Sequence, residues 1–123
     1  MEACTQSRKI YIVDGDPDLS LSTKCLLESK NSLVELFDDA SQFLNTTFWK
    51  KTDTVMIDLD PKKPSVFRLL NGLLSSPKRP NIIVTSLANS ALKPNDVFPG
   101  ERIKILFHPI APEELMMAVE RTA

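Results

Sequence analysis

The chain has 123 residues, 42% of them apolar and 25% charged, an ordinary composition for a globular protein. That length suits one domain able to bury its own core without staples. Fifteen basic and sixteen acidic residues leave a formal charge of -1, which removes the electrostatic case for direct nucleic-acid binding; no apolar run approaches the ~20 residues of a membrane span.

In chain order, residues 1–8 read as a polar tail and 9–122 as the domain. Nothing from Met1 to Lys9 has the pattern of a signal peptide, so a cytoplasmic location is expected. Cys4 and Cys25 have neither CxxC nor zinc spacing; Cys25 falls in a helical pattern and is expected to pack as a small core residue. The first strand is Ile10 to Val13. Asp16 is placed to cap a helix that Pro17 opens, because a proline's missing N–H costs nothing in a first turn. Leu19, Leu26 and Leu27 mark its stripe to about Ser29. Leu33 to Phe37 is a second strand, and Asp39-Ala40-Ser41-Gln42 has capping-box spacing ahead of Phe43 and Leu44.

Lys50 and Lys51, like Lys62 and Lys63, read as solvated loop charges. The third strand is Thr54 to Asp58. Ser65 is the expected cap of a third helix, in which Val66, Leu69, Leu70 and Leu73 keep i, i+3, i+4, i+7 spacing. Asn81 to Thr85 is the fourth strand. Pro94, Pro99 and Gly100 limit any helix before Arg102 to about two turns near Ala88 to Leu92. Ile103 to Phe107 is the fifth strand, and Pro112 opens the last helix with Glu113 and Glu114 against its positive end. Strand and helix alternate five times, and the strands are continuous apolar runs, which means burial on both faces. The fold class is therefore α/β: a doubly wound (βα)5, flavodoxin-like sandwich around a five-stranded parallel sheet.

Open parallel sheets bind ligands beyond the carboxyl ends of their strands. Here those ends carry Asp14, Asp58, Thr85 and His108, so two carboxylates, a hydroxyl and an imidazole form one candidate site. The blocks Ile12-Val13-Asp14-Gly15-Asp16-Pro17, Met56-Ile57-Asp58, Val84-Thr85-Ser86 and Phe107-His108-Pro109 resemble the receiver domain of bacterial two-component response regulators. The likeness runs from about Lys9 to Thr122.

The resemblance implies that Asp58 is the phospho-acceptor and that Thr85, Ser86 and His108 neighbour the phosphoryl group. It implies magnesium held by Asp14 and Asp58, with a backbone carbonyl near Asp60, and a cis peptide between His108 and Pro109. A histidine kinase or a downstream regulator is the implied partner. The chain departs from the family at four places: Gly15 replaces the second acid of the metal pair, His108 replaces a lysine, Ile105 stands where an aromatic switch residue is usual, and the loop after Asp58 has Pro61 and Pro64 with Val66 in the usual glycine region. Magnesium wants six oxygens in near-ideal geometry, and Asp16 or Asp60 can add only water-mediated help. Histidine has a shorter reach than lysine and ordinarily titrates near ~6.5. Removing one electrostatic partner of a transition state costs on the order of 2–4 kcal/mol. The expectation is a degenerate receiver, non-enzymatic, with weak magnesium binding and weakened or absent phosphorylation of Asp58, acting by protein–protein contact and able to form a homodimer through its first or last helix.

Two alternatives stand beside it. One is a receiver still phosphorylated on Asp58. The other is a haloacid-dehalogenase-like phosphatase using Asp58 and Asp60, which Asp58-Leu59-Asp60 resembles; that motif, however, belongs on a first strand, and the later strand ends in His108-Pro109 rather than an acidic pair.

Overall fold

The computed structural model describes residues 9–30, 32–46, 49–59, 64–87 and 103–122. They form β1 (Lys9–Val13), α1 (Pro17–Glu28), β2 (Leu33–Phe37), α2 (Ala40–Thr46), β3 (Thr54–Asp58), α3 (Pro64–Ser75), β4 (Asn81–Leu87), β5 (Lys104–His108) and α4 (Pro112–Thr122). The strands pair in parallel in the order β2-β1-β3-β4-β5. The order reverses at β1 and β3, so the crevice that such sheets offer to ligands opens where those two strands end. The tail over 1–8, the short helix expected at Ala88 to Leu92, and Asp60 lie outside the described residues. Among the described residues no helix is long and apolar enough to cross a membrane.

Strand alternation divides the core into two layers. Tyr11, Val13, Val55, Ile57, Ile82 and Val84 face Phe43 of α2 and Val66, Leu69, Leu70 and Leu73 of α3. Ile10, Ile12, Met56, Ile83 and Leu106 face Leu27 of α1 and Leu115, Ala118 and Val119 of α4. This is the doubly wound sandwich expected from the apolar runs.

Local expectations fare unevenly. Asp16 caps α1, its Oδ1 accepting from the N–H groups of Asp18 (3.1 Å) and Leu19 (3.2 Å). Asp39 Oδ1 accepts from Ser41 N–H at 2.9 Å as α2 begins. Three readings need correction. Ser20 rather than Leu19 is buried with Leu27, and Leu19 is 37% exposed; residues seven apart share a helix face, which sets the phase of α1. That phase also turns Cys25 outward, so it is exposed and not packed. Ser65 lies inside α3, because Pro64 takes the first helical position. The strand ends also move: β4 runs on to Leu87, where it pairs with His108 at the end of β5.

Phe43 is the hinge of the α2/α3 layer. It is fully buried, meets Tyr11 and Phe37 edge-on at 5.3 and 5.2 Å, and stacks on Trp49 at 5.7 Å. Phe43→Ala should cost about 3–5 kcal/mol through lost burial and the cavity left behind. Urea unfolding measures it, and because Trp49 loses its stacking partner, the native-state tryptophan emission should change as well.

Candidate functional site

The face alternation that builds the core also builds the site. Asp58 continues the row of Met56, Thr85 that of Ile83, and His108 that of Leu106, all on the α1/α4 side. Asp14 follows one residue past β1, next to β3. Thr85 Oγ1 donates to Asp58 Oδ1 at 2.9 Å, and His108 Nε2 lies 3.4 Å from that same oxygen. The exit of β3 is pinned by Leu59 N–H donating to the Thr85 carbonyl at 2.8 Å. The His108-Pro109 peptide is cis, as the resemblance implied. Three side chains separated by up to 50 positions therefore meet at one carboxylate oxygen.

A cleft of about 810 Å³ opens on the other side of Asp58. Its walls include Asp14, Asp16, Asp38, Asp39 and Asp58, with Val66 at the start of α3. Asp58 thus lines an acidic cleft and also meets the Thr85 hydroxyl and the His108 ring. Asp38 is not singled out by sequence and Asp39 only as a helix cap, although both follow a strand as Asp14 and Asp58 do. Backbone pairing brings them in, since Asp14 N–H donates to the Phe37 carbonyl at 3.0 Å. Ser86, in contrast, is not brought to Asp58. Alternation sends it to the α2/α3 face, where it is 1% exposed and its hydroxyl has no hydrogen-bond partner among the described residues.

Negative charge in this cleft is poorly compensated. Burial and then the nearby charges of Asp58 and Asp16 push the Asp14 carboxyl above its ordinary value, against a backbone hydrogen bond from Asp16 and the proximity of His108. Asp14 Oδ1 already accepts from Asp16 N–H at 2.9 Å, and Asp16 Oδ1 is committed to the α1 cap. Gly15 contributes no oxygen. Among the described residues no three His, Cys, Asp or Glu side chains are grouped to hold a metal ion. Asp14 and Asp58 are the two carboxylates that would hold magnesium, which keeps several waters and is usually bound through one or two such groups; the missing acid at Gly15 leaves that set thin.

The Asp14 shift carries a sign that can be tested. A carboxyl whose folded pKa lies above its unfolded value contributes stability that is fully present below the unfolded value, here 3.8, and is lost as pH rises through the folded one. At neutral pH the charged Asp14 therefore opposes folding. Asp14→Asn, which keeps the Oδ1 acceptor, should raise the melting temperature by a few degrees at neutral pH. Thermal melts across pH should show that gain shrinking on acidification.

No protein-family model and no curated protein sequence matches the chain. Solved structures do. The chemotaxis response regulator CheY4 of Vibrio cholerae superposes with a TM-score of 0.78 at 18% identity, covering 96% of this chain and 100% of that one. A response regulator receiver protein from Burkholderia phymatum gives 0.79 at 17% identity and 94% coverage of each chain. A CheY-like receiver domain from Methylobacillus flagellatus gives 0.77 at 20% identity, covering 96% and 100%. Sheet order, strand direction and near-complete two-way coverage agree: the chain has the fold of response regulator receiver domains.

Proposed function

We propose that residues 9–122 form a receiver-like signalling module of a bacterial two-component or related pathway, cytoplasmic and non-enzymatic, which acts by binding other proteins. Its partner is a histidine kinase or a downstream regulator, and phosphorylation of Asp58 is weakened or absent. The supporting observation is the arrangement around Asp58 Oδ1. Asp58 ends β3 at the sheet's switch point, in the place of the acceptor, and Thr85 holds the position of the phosphoryl-site hydroxyl 2.9 Å away.

The remaining elements of phosphoryl transfer are reduced. Extra negative charge on Asp58 would arrive beside Asp14, which burial and its neighbours already disfavour as an anion. Gly15 supplies no second metal ligand, and His108 replaces a fixed point charge with an imidazole. Both losses bear on the charge that develops as the phosphoryl group transfers. The domain therefore works mainly as a docking scaffold, with its first or last helix as the contact face in any homodimer. A second reading keeps Asp58 as a working acceptor, and the open acidic cleft beside it favours that reading because a small phosphodonor has room to enter.

Acetyl phosphate with millimolar magnesium, followed by intact-mass spectrometry, separates the two. The degenerate receiver should gain little or no phosphoryl mass, whereas Gly15→Asp combined with His108→Lys should gain it and lose it again when Asp58→Ala is added. A large increment on the unaltered chain that Asp58→Ala abolishes would establish a working switch instead.

A further inference from the structure

All strands of a parallel sheet point the same way, so the segments entering them gather at one pole and those leaving them at the other. The two poles of this sheet carry opposite charge. At the entering pole, Lys50 and Lys51 precede β3, and Lys78 and Arg79 precede β4. Backbone and ring contacts join these two turns into one patch. Trp49 Nε1 donates to the Lys78 carbonyl at 2.9 Å, and Asn81 N–H donates to the Asp53 carbonyl at 3.0 Å. Asp53 is the one acid in the segments 49–53 and 76–80, and it is 6% exposed. Its Oδ2 accepts from Lys50 N–H at 2.8 Å. Its own N–H donates to the Lys50 carbonyl at 3.0 Å, so Asp53 locks the turn through the backbone of Lys50. Lys50, Lys51 and Lys78 are exposed, and among the described residues none of them forms an ion pair.

The leaving pole holds the acidic cleft, whose walls carry five carboxylates and, among the described residues, no lysine or arginine. Asp38 and Asp39 are exposed on those walls. A formal charge of -1 hides this separation, and it also means that two copies repel one another little. We propose that the lysine turn of one copy docks on the acidic cleft of a second, so that the chain associates head to tail. A second copy is the occupant because each pole finds its complement at the opposite end of the same sheet. A nucleic acid or an anionic membrane is a poorer fit, since the chain as a whole offers a polyanion little attraction at that net charge. The contact is heterologous: it leaves one lysine turn and one cleft open, and it grows into chains unless its rotation closes a ring. It therefore differs from a two-fold contact through α1 or α4, and it depends neither on the signalling role nor on phosphorylation of Asp58. A turn already locked by Asp53 loses little freedom on docking. Exposed ion pairs are individually weak and screened by salt, so the association is weak and strongest at low ionic strength.

Sedimentation velocity of the whole chain tests this. At low salt the sedimentation coefficient should climb with protein concentration. The association constant should fall at least about tenfold between about 10 mM and about 150 mM salt, as the Debye length shrinks from about 30 Å to about 8 Å. Lys50→Glu combined with Lys51→Glu should stay monomeric, because it destroys the basic pole and keeps the cleft. Asp38→Lys combined with Asp39→Asn should stay monomeric for the converse reason, and asparagine keeps the acceptor that holds Ser41 N–H as α2 begins. Mixed in equal amounts, the two variants should form a dimer and stop there. Each brings the pole that the other has lost, while Asp14, Asp16 and Asp58, left in the altered cleft, repel the reversed turn. Circular dichroism identifies any variant that fails to fold, and the salt series on the unaltered chain stands without them. The proposal is overturned if the unaltered chain stays monomeric at low salt, including the case in which its lysine turn binds an RNA or an anionic vesicle instead. It is also overturned if Lys50→Glu with Lys51→Glu associates as well as its parent, as a two-fold helix contact would, or if the folded variants do not pair.

Discussion

Asp14 and Asp58 sit at the ends of adjacent parallel strands, and the burial of the Asp14 carboxyl, with the charge of Asp58 beside it, constrains what this site can do. The strand order places them together, since β1 and β3 are neighbours at the point where the sheet reverses. Nothing at hand cancels the charge fully. His108 and Thr85 both approach Asp58, yet they converge on a single oxygen. The charge of Asp14 is answered mainly by one backbone N–H. On the proposed reading, such an arrangement disfavours a further negative charge on Asp58.

The rest of the molecule exists largely to hold those strand ends in register. Two apolar layers clamp the sheet from both sides, and their residues come from alternate positions on the same strands. A one-residue slip of β4 would exchange Thr85 for Ser86 beside Asp58 and bury the wrong side chain on each face. The Leu59 to Thr85 backbone bond and the long pairing of β4 with β5 oppose that slip. Stability and site geometry are therefore set by the same contacts, and core mutations far from Asp58 will be felt there.

The departures from the receiver pattern also act together. Gly15, His108 and Ile105 remove, in turn, a carboxylate ligand, a fixed positive charge and an aromatic side chain. On the proposed reading, a scaffold without these three that keeps Asp58, Thr85 and the strand order acts through its surfaces.

Much of the architecture could be read directly from residue order, because local signals and long apolar runs pointed the same way. Pro17 after Asp16, the i, i+3, i+4, i+7 row in α3, and the Val/Ile runs determined element type, alternation and the two-sided burial of the sheet. Those features depend on near neighbours and on backbone chemistry, which a linear sequence contains. The sequence likewise placed Asp14, Asp58, Thr85 and His108 at strand ends. Only the tertiary structure decided that Thr85 and His108 share one oxygen of Asp58, that Ser86 faces the opposite layer, and that Asp38 and Asp39 wall the same cleft. It alone set the phase of α1, burying Ser20 and exposing Cys25 and Leu19. Each of these is a matter of register or rotation between elements far apart in the chain, and that is settled by how whole faces pack, not by the residues next door.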